Sequence, residues 1–182
     1  MRCRWQSRTI RRAIIVALLF ALAGRPSLAQ STWDRYQPGT LTAATSAADS
    51  IIRQSLIEVP DKHPSEHFFG DKRAILATVI YKGDSRPINP IKHQLIARWG
   101  MSILRDSSIA ADFHREYLFQ EGDKLFWLPV QDPVATYFPK ELRPGQAVSL
   151  FVMLIAAYSE DDVITWATIV NEFKAGPVAR TY

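Results

Sequence analysis

Apolar residues recur at steps of three and four over residues 41–59, which is the spacing of one face of a helix. Thr40 is a suitable N-cap for this helix, and Pro60 ends it. The face is shallow because many of its side chains are alanine or serine. We therefore expect the helix to pack against another element rather than to stand alone.

Five later stretches are rich in β-branched and aromatic residues, which is typical of strands. They are residues 73–82, 115–120, 124–131, 147–158 and 163–173. The tripeptide Glu121-Gly122-Asp123 predicts a hairpin loop between the second and third of these strands. The first, fourth and fifth are too apolar to leave one face in water, so we expect both of their faces to be covered.

Asn89-Pro90 has the pattern of an N-cap followed by a first helical residue, and it predicts a second helix over 91–104. Gly100 and the local isoleucine content leave a strand open as the alternative there. Residues 61–71 are expected to form a polar loop, and Gly83-Asp84-Ser85 a turn. Two prolines in 132–142 indicate no more than a helical turn.

These elements predict an α+β fold: a small curled antiparallel sheet or β-barrel of about five strands. An N-terminal helix and a second helix after the first strand would cover its open side. We expect one β-rich domain over 41–173, preceded by a flexible segment at 30–40 and followed by a loose tail at 174–182.

The first 29 residues have the three-part pattern of a cleavable secretory signal. Five arginines precede an unbroken apolar run at 13–23, and Ser27-Leu28-Ala29 offers small residues for cleavage before Gln30. A bilayer-spanning helix needs roughly 20 apolar residues, and this run is shorter. We expect export to a periplasm or to the extracellular space, with no integral membrane span after cleavage. Arg11-Arg12 leaves the twin-arginine route open beside the general secretory route.

Removal of this leader changes the charge of the chain. Six of its 22 basic residues lie in the leader, which holds none of the 18 acidic residues, so 16 basic and 18 acidic residues remain. The mature net charge of −2 gives no reason to expect nucleic-acid binding, which needs a basic face. The single cysteine, Cys3, is also in the leader, so the mature chain can form no disulfide and no cysteine-ligated metal site.

One short motif indicates metal chemistry. His63-Pro64-Ser65-Glu66-His67 fits the H-x-x-E-H pattern and resembles the inverted zinc peptidases. That resemblance implies His63 and His67 as zinc ligands on one helical turn and Glu66 as the group that activates water. Glu141, Asp71 or His114 could supply a third ligand. The five residues also suit a solvated loop, and the mature chain is far smaller than those peptidases.

The remaining candidate feature is aromatic. Trp127, Tyr137 and Phe138 could line a groove for a partner or ligand, although aromatic residues also dominate ordinary cores. No nucleophile motif and no glycine-rich phosphate loop occurs in the sequence.

The preferred hypothesis is an exported, non-enzymatic binding module for a protein, peptide or envelope component, without a cofactor. The alternative is a small metal-dependent hydrolase that uses His63, Glu66 and His67. A structural role as an oligomer is a third hypothesis.

Overall fold

The computed structural model describes residues 36–58, 66–70, 74–159 and 164–177. The part of the chain from Tyr36 onward constitutes one compact unit. The predicted leader at 1–29 lies outside the described residues, and so does most of the flexible segment at 30–40. None of the helices in the described ranges is both long enough and apolar enough to cross a membrane.

The described chain contains seven strands and four α-helices. The strands are β1 Tyr36–Gly39, β2 Glu66–Gly70, β3 Ala74–Pro87, β4 Arg115–Glu121, β5 Lys124–Val130, β6 Ala147–Ser159 and β7 Ile164–Ala175. The helices are α1 Leu41–Glu58, α2 Pro90–Trp99, α3 Asp132–Ala135 and α4 Phe138–Glu141. A π-helical turn, Gly100–Leu104, and a 3-10 helix, Ser107–Asp112, follow α2.

Five of the strands close into a barrel in the order β3-β4-β5-β7-β6, with β6 pairing back to β3. The pairs are antiparallel except for β5 and β7, which run parallel and share the residue pair Val130–Val170. The result is a closed, mixed barrel of five strands. The predicted α+β class and the small barrel of about five strands are confirmed, and the barrel is mixed rather than wholly antiparallel.

The barrel interior is filled by aromatic and branched side chains. Phe138 is buried in this core and contacts four other rings, with centroid distances from 4.9 Å to 6.2 Å. These rings belong to Tyr81, Tyr117, Phe119 and Phe173. The segment between β5 and β6 therefore places the Phe138 ring among the side chains of the barrel interior.

The outside of the barrel carries a second apolar cluster under α2. Leu95, Ile96 and Trp99 of this helix are buried in it. Their partners on the barrel include Ile155 of β6 and two residues of β7, Ala167 and Ile169. Helix α2 thus covers the β6–β7 side of the barrel.

Both predicted helix starts are confirmed. Thr40 Oγ1 accepts a hydrogen bond from the Ala43 N–H at 3.0 Å at the start of α1. The carboxylate of Glu121, from the end of β4, accepts bonds from the N–H groups of Leu41 (2.7 Å) and Thr42 (2.9 Å). Two of the unpaired N–H groups of the first turn are satisfied in this way, and the helix is tied to the barrel.

Asn89 caps α2, because its side chain accepts from the Ile91 N–H at 2.9 Å. The predicted helix at 91–104 is confirmed, with its last turn π-helical, and the strand alternative is wrong. Gly100 begins this turn because no larger residue fits there. A Cβ atom at Gly100 would lie 2.5 Å from the backbone oxygen of Asp106.

One predicted loop and one predicted turn are wrong. Part of the expected polar loop at 61–71 is strand β2, which pairs with the end of β6. The expected turn at Gly83-Asp84-Ser85 is a bulge within a continuous β3, with the register shift between Tyr81 and Ser85. Gly83 has a φ of +89° there, which a glycine adopts without strain. The second helix therefore follows the third strand of the chain rather than the first.

The two ends of the described chain are also more ordered than expected. Tyr36–Gly39 of the expected flexible segment form β1, which pairs in parallel with the start of β3. Strand β7 runs to Ala175, and Gly176 forms a bridge with Val148. The loose tail therefore cannot begin at 174.

Candidate binding surface

Alternating residues of β4 point into and out of the barrel, as successive side chains of a strand must. Tyr117 and Phe119 point inward and pack with Phe138. Glu116 and Leu118 consequently point outward, where Glu116 lies opposite Arg86 of β3. The outer face of β3, β4 and β5 thus carries a carboxylate that solvent does not reach, because Glu116 is fully buried.

Two cations neutralise the Glu116 carboxylate. Arg86 Nε donates to Oε2 at 2.8 Å, and Lys92 Nζ, from the first turns of α2, donates to Oε1 at 2.5 Å. Lys92 Nζ also donates to the backbone oxygen of Trp127 at 2.8 Å. A buried carboxylate is tolerated when both of its oxygens are paired in this way. Helix α2 therefore contacts β4 and β5 through Lys92 as well as β6 and β7 through its apolar face.

The Arg86 guanidinium is fixed by an aromatic ring in addition to the carboxylate. It lies over the Trp127 ring of β5, with Cζ 4.3 Å from the ring centroid. Trp127 points outward, because Phe126 and Leu128 on either side of it pack with the barrel core. The Arg86 side chain is 45% exposed, so this ordered cation faces solvent.

The three aromatic residues predicted from sequence do not share one groove. Trp127 is on the outer face of β5, whereas Phe138 is buried inside the barrel. Tyr137 lies between α3 and α4, is 51% exposed, and contacts the Lys140 ammonium at 5.4 Å from its ring centroid. Phe138 is a core residue, so only Trp127 and Tyr137 remain available to a ligand.

The predicted metal site falls largely outside what the structure describes. His63 and Asp71 lie outside the described residues, and the backbone of Glu66 and His67 belongs to strand β2. Within the described ranges, no three His, Cys, Asp or Glu residues are grouped so that they could hold a metal ion. Zinc binding through the H-x-x-E-H residues stays a prediction.

The pairing of His114 with Asp132 was not predicted from the sequence. The His114 Nδ1 atom contacts the Asp132 carboxylate, and both side chains are largely exposed. Strand pairing of β4 with β5 brings them together, since Arg115 lies opposite Val130. A further histidine, His93 of α2, has its Nε2 atom 3.0 Å from the backbone oxygen of Ala110.

Arg86, Lys92 and Glu116 were likewise not identified from sequence. The only local sign was an acidic residue placed on the outward side of a strand, and many exposed strands have one. The combination of a buried carboxylate, two cations and an indole forms only where three strands and a helix pack together.

No protein-family model, curated protein or solved structure matches this chain.

Proposed function

We propose that the protein is an exported, non-enzymatic binding module of the cell envelope. Its ligand, a protein, peptide or envelope component, binds the outer face of β3, β4 and β5 around Arg86 and Trp127. The observation that carries this proposal is the ordered, solvent-facing guanidinium of Arg86, held against Trp127 and by the buried Glu116.

Preorganisation supports a binding role for this surface. A cation that is already fixed in the free protein loses little conformational entropy when a ligand arrives. Arginine and tryptophan are also among the residues that contribute most to binding at interfaces. Leu125, two residues before Trp127 on the same side of β5, is 59% exposed and adds apolar area beside the indole.

Electrostatics argue against a nucleic-acid ligand, even though some five-stranded barrels bind oligonucleotides. The expected mature chain has a net charge of −2. A fold alone does not assign a function, and a polyanion would need more than the few cations on this face.

Export is tested by sequencing the N-terminus of the protein recovered from its native host. We expect the sequence to begin at Gln30. Recovery of the chain from the cytosol with Met1 still present would contradict the proposal.

Binding is tested by immobilising the purified protein and exposing it to an envelope extract. Trp127→Ala should abolish specific retention, whereas Tyr137→Ala, which removes the half-exposed aromatic ring between α3 and α4, should not. Circular dichroism checks that both variants fold. Retention of the same components by wild type and Trp127→Ala, or of nothing by wild type, would contradict the assignment of this surface.

A further inference from the structure

The guanidinium of Arg86 is only partly used by the protein. Nε donates to Glu116, and one face of the group lies on the Trp127 ring. The two terminal nitrogens, Nη1 and Nη2, donate to no residue in the part of the chain that the structure describes. They form the end of a planar fork, which is the geometry that binds two oxygens of one oxoanion.

The charge around this fork is not balanced. Arg86 and Lys92 contribute two positive charges against the single carboxylate of Glu116, so the cluster has a net charge of +1. Lys92 is 23% exposed and its ammonium is engaged by Glu116 and the Trp127 oxygen, which leaves Arg86 as the accessible cation. One carboxylate from a ligand would neutralise the cluster, whereas a phosphate dianion would make it negative.

The exposed side chain of Leu125 defines the second part of the site. Residues two apart on one face of a strand are separated by about 7 Å. An extended peptide has the same spacing between its own residues i and i+2. A peptide with an acidic residue at i and an apolar residue at i+2 could therefore place its carboxylate at Arg86 and its apolar side chain beside Leu125.

We infer that this surface binds an acidic peptide segment, whose carboxylate is held end-on by Nη1 and Nη2 of Arg86 above Trp127. The inference rests on the proposed function and names the ligand class of the same surface. Arg86 supplies the directional contact, Glu116 and Trp127 position Arg86, and Leu125 contributes apolar contact to the neighbouring ligand residue.

The test uses two synthetic pentapeptides, acetyl-Ser-Glu-Ser-Leu-Ser-amide and the same peptide with glutamine in place of glutamate. Binding to the purified protein is followed by NMR through the indole N–H signal of Trp127, which the Trp127→Phe variant assigns. We expect the glutamate peptide to shift this signal saturably and the glutamine peptide to bind at least tenfold more weakly. Both peptides are compared on the wild-type protein, and Trp127→Phe serves only to assign the signal.

Two variants then test the role of Arg86 against that of positive charge in general. Arg86→Lys keeps the charge but loses the planar fork, and we expect at least tenfold weaker binding of the glutamate peptide. Arg53→Ala removes an exposed cation of α1, which pairs with Asp49 at 2.7 Å and is not part of the β3–β4–β5 face, and we expect binding within twofold of wild type. The dispersion of the NMR spectrum shows whether each variant is folded.

Three outcomes would overturn the inference: equal binding of the two peptides, wild-type affinity in a folded Arg86→Lys protein, or displacement of the peptide by an equal concentration of inorganic phosphate. Failure here is distinguishable from failure of the proposed function. If Trp127→Ala still abolishes retention of envelope components while the acidic peptide does not bind, the binding surface stands and only the ligand class is wrong.

Discussion

Replacement of Glu116 by glutamine should destabilise the protein strongly, although the two side chains have almost the same shape. Glu116 is fully buried and accepts hydrogen bonds from Arg86 and Lys92. The amide keeps one oxygen as an acceptor but turns an N–H₂ donor toward the other cation. One charge-assisted hydrogen bond is lost, and two cations lose their counter-charge.

The size of the loss in unfolding free energy depends on how much hydration each cation regains. A charge-assisted hydrogen bond contributes about 1.5–3 kcal/mol, and breaking a buried ion pair costs about 3–5 kcal/mol when the remaining charge stays buried. Arg86 is 45% exposed and Lys92 is 23% exposed, so both regain some hydration and the loss falls below that upper range. We expect the free energy of unfolding to drop by about 2–3 kcal/mol, which lowers the Tm by roughly 4–12 °C for a chain of this size.

Urea unfolding followed by far-UV circular dichroism measures this loss without relying on the indole beside the site. Asp49→Asn is the matched control, because it removes the carboxylate of an exposed ion pair with Arg53 on α1. That control should leave the urea midpoint unchanged within error. If Glu116→Gln has the same midpoint as Asp49→Asn, the reasoning that Glu116 is a buried structural carboxylate is refuted.

Four further predictions concern the core, the first helix, alkaline pH and metal. Phe138→Ala should lower the free energy of unfolding by about 3–5 kcal/mol in a urea titration, because it leaves a cavity inside the barrel. Glu121→Ala should cost about 1–2 kcal/mol and reduce helical circular dichroism, since the first turn of α1 loses two acceptors. Burial raises the pKa of Tyr81 and of Tyr117, so their contribution to stability is complete below pH about 10 and is lost as the pH rises through the raised values. Urea midpoints across the alkaline range, with phenolate absorbance, measure this. If His63 is a zinc ligand, protein purified without a histidine tag should contain zinc, and His63→Ala should lose it.

Each of these has a contrary outcome. A Phe138→Ala protein of wild-type stability would mean that the barrel collapses around the missing ring. Unchanged helicity after the Glu121 substitution would show that the Thr40 cap alone holds the helix end. Phenol titration at the ordinary tyrosine pKa, with no loss of stability, would contradict the burial argument. Less than about a tenth of an equivalent of zinc, unchanged by His63→Ala, would end the zinc hypothesis.

Elements with local signals could be predicted from the amino-acid sequence. Thr40 and Asn89 mark helix starts because their side chains bond N–H groups two or three residues away. The apolar runs that became β6 and β7 predicted strands because their composition suits a surface buried on both sides. These signals also sufficed to predict an α+β fold and a small barrel.

Features that depend on partners distant in the sequence could not be predicted from local signals. The polar segment that contains β2 has no apolar pattern, and it is a strand because β6 extends beyond its pairing with β3 and offers β2 an edge there. The turn expected at Gly83 became a bulge because β3 pairs with β4 on both sides of it, at Ile80 and Tyr81 and again from Ser85 to Pro87.

The candidate binding surface likewise depends on residues that are distant from one another in the sequence. Arg86 meets Glu116 through the β3–β4 register, Lys92 reaches them from α2, and Trp127 is placed by the β4–β5 register. Each of the four has an ordinary local context, in which no neighbour along the sequence indicates its partner. Their charge balance and burial arise only when separate elements pack, because hydration is lost by the assembled surface and not by any single segment.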